Sequence, residues 1–112
     1  MCGIAGLINY RSDHREIIRK SLSHRGPDAQ NTYKYRNIYL IHTRLSIQDI
    51  AQGSQPMLIG NYVIVFNGEI YNHLSLRSKV TNYKFKTQSD TETLLALFIE
   101  YGISALNDCD GM

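Results

Sequence analysis

Cys2 stands directly ahead of a continuous run of strand length, Gly3 to Asn9, which stops at Asn9-Tyr10-Arg11. A run of that length predicts a strand buried in a sheet. Such a strand would hold Cys2 at one end of the sheet and one residue from the chain terminus. If the initiator Met1 is removed, Cys2 also carries a free α-amine. An α-amine titrates near ~8 and a thiol near ~8.5, so a base and a nucleophile of matched pKa would share one residue. That pairing does the work of a nucleophile–base couple without a His or Asp. The plainer alternative is that Cys2 is merely the residue that follows an initiator.

A length of 112 residues fits one domain. Hydrophobic residues at 43% and charged residues at 20% describe an ordinary globular sequence. Twelve Lys and Arg, scattered along the chain, stand against ten Asp and Glu, so neither nucleic acid nor an anionic membrane is an expected partner. The eight Tyr lie in strand-like or loop segments outside any nucleic-acid motif and read as structural. Cys2 and Cys109 could close a loop over nearly the whole chain. Two such distant cysteines are not the dense framework of a small secreted protein, and a reduced, cytoplasmic setting is expected. No Lys or Arg precedes the apolar opening, so it fails as a secretory signal. No stretch approaches the ~18 apolar residues of a membrane span.

The expected organisation is α+β. After the first strand, Asp13 and Glu16 have capping-box spacing ahead of the stripe Ile17, Ile18 and Leu22, and Gly26-Pro27 supplies a stop. Asn31 to Tyr35 and Ile38 to Thr43 read as strands joined at Arg36-Asn37, and residues 44 to 56 as a loop. Gly60-Asn61 is a hairpin signal between Leu58-Ile59 and Tyr62 to Phe66. Asn72 is placed to cap a short helix through about Val80. Ser89-Asp90-Thr91-Glu92 forms a second capping box before Leu94, Leu95, Leu97, Phe98 and Ile99, and Gly102 ends that helix. Nothing marks an internal domain boundary. Neighbouring strands connected by tight turns argue for antiparallel sheets.

Several residues admit two readings. Asn67-Gly68 follows the apolar Val63 to Phe66 and has the composition of a type I′ hairpin turn. An Asn side-chain amide beside a Gly N–H is also a pair of donors able to converge on one oxygen, as an oxyanion hole requires. Arg44, at a strand-to-loop junction, is either a surface arginine or a bidentate carboxylate clamp. Asp90 and Glu92 either complement the dipole of a helix N-terminus or, in the case of Asp90, face a pocket and pair with a substrate ammonium. His14, His24, His42 and His73 do not cluster with Cys109, and no Cys-x-x-Cys occurs, so no metal site is expected. No Gly-rich phosphate loop is present, which puts any ATP chemistry outside this chain.

Six motifs occur in one order over the whole length: Met1-Cys2-Gly3-Ile4-Ala5-Gly6, Ser23-His24-Arg25-Gly26-Pro27-Asp28, His42-Thr43-Arg44-Leu45-Ser46-Ile47, Gln55-Pro56-Met57, Phe66-Asn67-Gly68-Glu69-Ile70-Tyr71-Asn72 and Ser89-Asp90-Thr91-Glu92. Together they resemble the glutaminase domain of glutamine-hydrolysing asparagine synthetases, class II amidotransferases with an N-terminal nucleophile. The resemblance implies that Cys2 attacks the side-chain amide of L-glutamine while its α-amine moves the protons. Asn67 and the Gly68 N–H would hold the oxyanion. Arg44 would clamp the substrate carboxylate, Asp90 with Glu69 would receive its ammonium, and the backbone of Leu45, Ser46, Ile47 and Gln48 would line the pocket. Paired opposite charges would favour a zwitterionic amino acid over a plain amide.

The implied fold is the four-layer αββα sandwich of N-terminal-nucleophile hydrolases, of which this chain would form about the first half. The rest of that domain and the synthetase domain, on the same or a separate chain, are the implied partners. No cofactor is implied for these residues; ATP and Mg²⁺ are expected only for the synthetase domain. The ammonia acceptor is aspartate on this resemblance. A sugar acceptor, a different amidase, or an inactive truncated or split fragment are the alternatives. One departure is visible: Ala29-Gln30 follows Arg25-Gly26-Pro27-Asp28, where the family usually has Gly or an acidic residue.

Overall fold

The computed structural model describes residues 2–45 and 53–112. They form an α+β structure with antiparallel sheets, divided into two compact units. The chain alternates between the units. Residues 2–45, 54–56 and 65–67 belong to the first and residues 57–64 and 68–112 to the second, so no linker or composition shift could have announced the division.

The first unit is built on a three-stranded sheet in the order β1-β3-β2, with β1 at Gly3–Ile8, β2 at Ala29–Tyr35 and β3 at Ile38–Arg44. The β2–β3 hairpin closes through Arg36, which takes a left-handed φ of 51°. β2 begins two residues before the expected start at Asn31, because Ala29 and Gln30 pair with Arg44 and Thr43. At the hairpin end, Asn9 donates its N–H to the Asn37 carbonyl at 2.9 Å, and Asn37 returns a side-chain bond to Asn9 Oδ1 at 2.6 Å.

α1, Ser12–Leu22, lies against the face of the sheet that carries the odd-numbered residues Gly3, Tyr39, Ile41 and Thr43. Arg15 stands 5.5 Å above the Tyr39 ring, and the Thr43 hydroxyl donates to the Leu22 carbonyl at 3.1 Å. Gln30 fastens the helix to β2 by donating to the Arg19 carbonyl at 3.0 Å. The opposite face alternates away, as a pleated strand must. There Ile4, Ile8, Tyr35 and Ile38 are exposed, so β1 is apolar on both faces yet covered on one rather than fully buried. The expected capping box of α1 does not form. The helix starts two residues early behind Arg11, which makes no side-chain cap, while Asp13 pairs with Arg11 at 3.4 Å and Glu16 with Arg19 at 3.0 Å.

The second unit contains the hairpin of β4, Met57–Ile59, and β5, Tyr62–Ile64, turned at Gly60 with φ 57°. α2, His73–Leu76, continues as a 3₁₀ turn over Arg77–Lys79, and α3, Asp90–Tyr101, continues into a second one over Gly102–Asp108. α3 is the centre of this unit: every residue from Asp90 to Leu97 is buried. Gly102, at φ 68°, ends it.

The Asn72 side chain does not cap α2. It donates to the Asp108 carbonyl and accepts the Asp110 N–H, each at 2.9 Å, tying the start of α2 to the segment after the last 3₁₀ turn. That segment pairs through Gly111 with Ile70, where a side chain on Gly111 would collide with the Glu69 carbonyl. Among the described residues no helix is long and apolar enough to cross a membrane.

Candidate functional site

In the first unit, the β1–β3 register pairs Gly3 with Thr43, and extending it by one residue sets Cys2 across from Arg44. Cys2 is half-buried with a free thiol. The Leu45 N–H donates to its sulfur at 3.4 Å, and the Leu45 carbonyl lies 3.7 Å from the same sulfur. The thiol is thus held by a donor and an acceptor of one residue, immediately past the end of β3.

Arg44 is buried, which removes the surface-arginine reading. Its backbone is fixed from a second direction. Pro27 bridges to Arg44, and the Asp28 N–H donates to the Arg44 carbonyl at 3.0 Å. Gly26 comes so close to the Thr43–Arg44 peptide that any Cβ there would overlap it. The Arg25–Asp28 loop, for which the sequence suggested no role, is a brace for the end of β3. A shallow cavity of about 430 Å³ beside it is lined by His24, Arg25, Pro27 and Leu45.

His42 shares the sheet face of Arg44 and is almost wholly buried. Burial and, second, the Arg44 cation hold its pKa below the usual histidine value, while a backbone group of Phe66 acts weakly the other way. A neutral imidazole beside a buried guanidinium follows.

Asn67 and Gly68 do not form a hairpin turn. A type I′ turn needs left-handed φ at both central residues, and the described residues with positive φ are Asn9, Arg36, Gly60 and Gly102. The pair instead lies in an open stretch after β5. Just before it, the buried Gln55 side chain accepts the Phe66 N–H at 2.6 Å. Asn67 belongs to the first unit together with Cys2, Arg44 and Leu45; Gly68, Glu69 and Asp90 belong to the second. Ser46, Ile47 and Gln48 lie outside the described residues.

In the second unit, Asp90 opens α3, and its Oδ2 accepts the Ile70 N–H at 2.9 Å while Oδ1 accepts the Thr91 hydroxyl at 3.4 Å. Asp90 thereby holds the Gly68–Ile70 segment against the helix start. Glu69 is held on the other side, since its N–H donates to the Met112 carbonyl at 2.9 Å and its carbonyl accepts the Met112 N–H at 3.0 Å.

The helix N-terminus itself is capped by Ser89 Oγ, which accepts the Thr91 N–H at 3.2 Å. The reciprocal half of the box is absent because Glu92 turns elsewhere. Its buried carboxylate accepts the Tyr83 hydroxyl at 2.7 Å, the Lys86 and Thr87 N–H groups at 2.9 and 2.8 Å, and the Thr87 hydroxyl at 2.7 Å. The Ser89 N–H is satisfied by Thr87 Oγ1 at 3.1 Å instead. Arg77 completes the clamp, donating to Thr93 Oγ1, Thr87 O and Ser89 O at 2.8–3.0 Å with its guanidinium 4.3 Å above Phe85.

Gln55, His42 and the Glu92 network were not singled out as functional by sequence. Gln55, His42 and Glu92 each lie within one of the six motifs, and that membership was their signal; taken singly, a buried Gln, a buried His and a helix-start Glu carry none.

The sequence pattern of the family described as "Glutamine amidotransferase domain" matches residues 1–112. The chain is 41% identical over its full length to asparagine synthetase B [glutamine-hydrolyzing] of Escherichia coli (strain K12), covering 22% of that protein. It is 40% identical to asparagine synthetase [glutamine-hydrolyzing] 1 of Arabidopsis thaliana, again over all of this chain and 20% of the relative. The probable asparagine synthetase [glutamine-hydrolyzing] of Schizosaccharomyces pombe (strain 972 / ATCC 24843) is likewise 40% identical over the whole chain, which covers 22% of it. The chain therefore spans about a fifth of the length of these relatives.

Proposed function

This chain belongs to the glutamine amidotransferase domain family, and on that premise we propose that it carries the nucleophile of a glutaminase that releases ammonia for asparagine synthesis. The reaction we assign begins with the Cys2 sulfur attacking the side-chain amide carbon of L-glutamine. The α-amine of mature Cys2 takes the thiol proton and passes it to the leaving nitrogen, so ammonia departs and a glutamyl thioester remains. Water, deprotonated by the same amine, then attacks the thioester carbon; the thiol is regenerated and glutamate leaves.

In both halves the negative oxygen would be met by the Asn67 side-chain amide and the Gly68 N–H. Arg44 would pair with the substrate α-carboxylate, and Asp90 with Glu69 would take its ammonium. Leu45 through Gln48 would supply backbone contacts. The single observation that carries this reading is the Cys2–Leu45 contact at the end of β3, which holds the sulfur beside the buried Arg44 strand end.

Three finer statements belong to the same proposal. The exposed part of the sheet face that also carries the buried His42 and Arg44, at Ile4, Ile8, Tyr35 and Ile38, is what a further sheet would cover in a four-layer αββα sandwich, of which residues 1–112 would be the N-terminal part. The remaining strands and a synthetase portion would complete the protein, on this chain or another. ATP and Mg²⁺ would serve that other portion, in the cytoplasm, where aspartate would accept the ammonia; the relatives' names support this acceptor.

The test is glutamate release by the full-length protein and its Cys2→Ala form. Loss of hydrolysis to background supports the proposal; retained hydrolysis in Cys2→Ala excludes the thioester.

A further inference from the structure

We propose that Gln55 is a positioning residue that sets the placement of Asn67 by gripping the backbone one residue before it. The inference rests on the reading of Asn67 as an oxyanion donor. The β4–β5 ladder ends with the Met57↔Ile64 pair, so the Phe66 N–H lies two residues beyond the last strand partner. Asn67-Gly68 adopts no tight turn that would fix its direction internally. The segment is instead anchored by the buried Gln55, whose Oε1 accepts the Phe66 N–H at 2.6 Å. Residues 54–56 and 65–67 belong to the same compact unit, so this grip is internal to it.

The chemistry favours an amide at position 55. Its oxygen accepts the backbone proton while the group stays neutral, so no fixed charge is placed near atoms where negative charge develops. The bond fixes the peptide plane between Val65 and Phe66, and with it the point from which Phe66 and Asn67 set out. A displacement of about 1 Å at a reacting site is enough to cost roughly 10²-fold in rate. Gln55 would thus act on kcat through Asn67 without touching the substrate, and KM would stay near its starting value.

Two variants in the full-length protein separate this role from simple packing. Gln55→Met keeps length and burial but cannot accept the proton, whereas Gln55→Glu keeps an acceptor. The primary readout is hydrogen exchange at the Phe66 amide, which needs no activity. We expect slow exchange in the unaltered protein and in Gln55→Glu, and at least about tenfold faster exchange in Gln55→Met. Fast exchange at Phe66 in the unaltered protein overturns the proposal even if Gln55→Met fails to fold.

The second readout is glutamine hydrolysis, where Gln55→Met should lose about 10-fold or more in kcat with KM within about twofold. Unchanged kcat in a folded Gln55→Met overturns the positioning role. An unaltered protein that releases no glutamate contradicts the glutaminase reading, while the exchange measurement still decides whether Gln55 holds this segment.

Discussion

The Asp28 N–H donates to the Arg44 carbonyl at 3.0 Å, so the loop after α1 holds the end of the central strand. The brace depends on Gly26, whose missing side chain lets the loop lie against the Thr43–Arg44 peptide. Gly26→Ala should push the two apart. Overpacking of this kind costs about 1–3 kcal/mol of stability. If Arg44 clamps the substrate carboxylate, its displacement should also raise KM for glutamine about tenfold, the equivalent of one charge-assisted hydrogen bond. Thermal unfolding and steady-state kinetics of the one variant check both; a Gly26→Ala protein with unaltered KM would detach Arg44 from substrate binding.

Glu92 should make stability sensitive to acid. Burial opposes its charge, but hydrogen bonds from Tyr83, Thr87 and the Lys86 and Thr87 N–H groups outweigh it and hold the carboxyl below the usual carboxylate range. The unfolded chain therefore binds the proton more readily than the folded one. The stabilisation is complete above the unfolded pKa of about 4.3 and disappears as the pH falls through the lower folded value. Glu92→Gln should cost about 1–3 kcal/mol at neutral pH and flatten that acid limb, as read by denaturant unfolding from pH 7 downwards. The partner hydroxyl should show the reverse effect: burial, together with the Glu92 bond and charge, pushes the Tyr83 pKa up to about 12, so Tyr83 should be late to ionise in an alkaline absorbance titration.

Asn67→Asp exchanges a donor for an anion at a position that the backbone does not use as a turn. The fold should tolerate the change, since Asn67 is not left-handed. As an oxyanion donor, Asn67 should account for about 10² or more in kcat. Far-UV spectra unchanged from the parent combined with a large kcat loss is the expected result; full turnover in the folded variant removes Asn67 from the chemistry.

The legible features of this fold were those written in local chemistry. The strand after Cys2, the hairpins at Arg36-Asn37 and Gly60-Asn61, and the stop at Gly102 all follow from runs of apolar residues and from positions that need positive φ. The misread features were set by distant partners. Asn72 and Glu92 sit at helix starts where their side chains would ordinarily cap, but Asp108, Asp110, Tyr83 and Thr87 offer them stronger competing bonds from elsewhere in the chain. Asn67-Gly68 has the composition of a hairpin turn yet none of its conformation, and among the described residues no strand returns from it to pair with β5. For the candidate site, motif order named Cys2, Arg44, Asn67 and Asp90. The backbone brace at Gly26 and the Gln55 grip became visible only from contacts between residues far apart in sequence.

The central claim is that Cys2, freed of Met1, is the nucleophile. The most direct measurement is the mass of the N-terminal peptide from full-length protein quenched in acid during turnover of glutamine. The account predicts a peptide that begins at Cys2, without Met1, and carries a glutamyl group that is absent before glutamine is added. Active protein that keeps Met1 throughout, or that turns over with no adduct on this peptide in a quench fast enough to trap one, would contradict it.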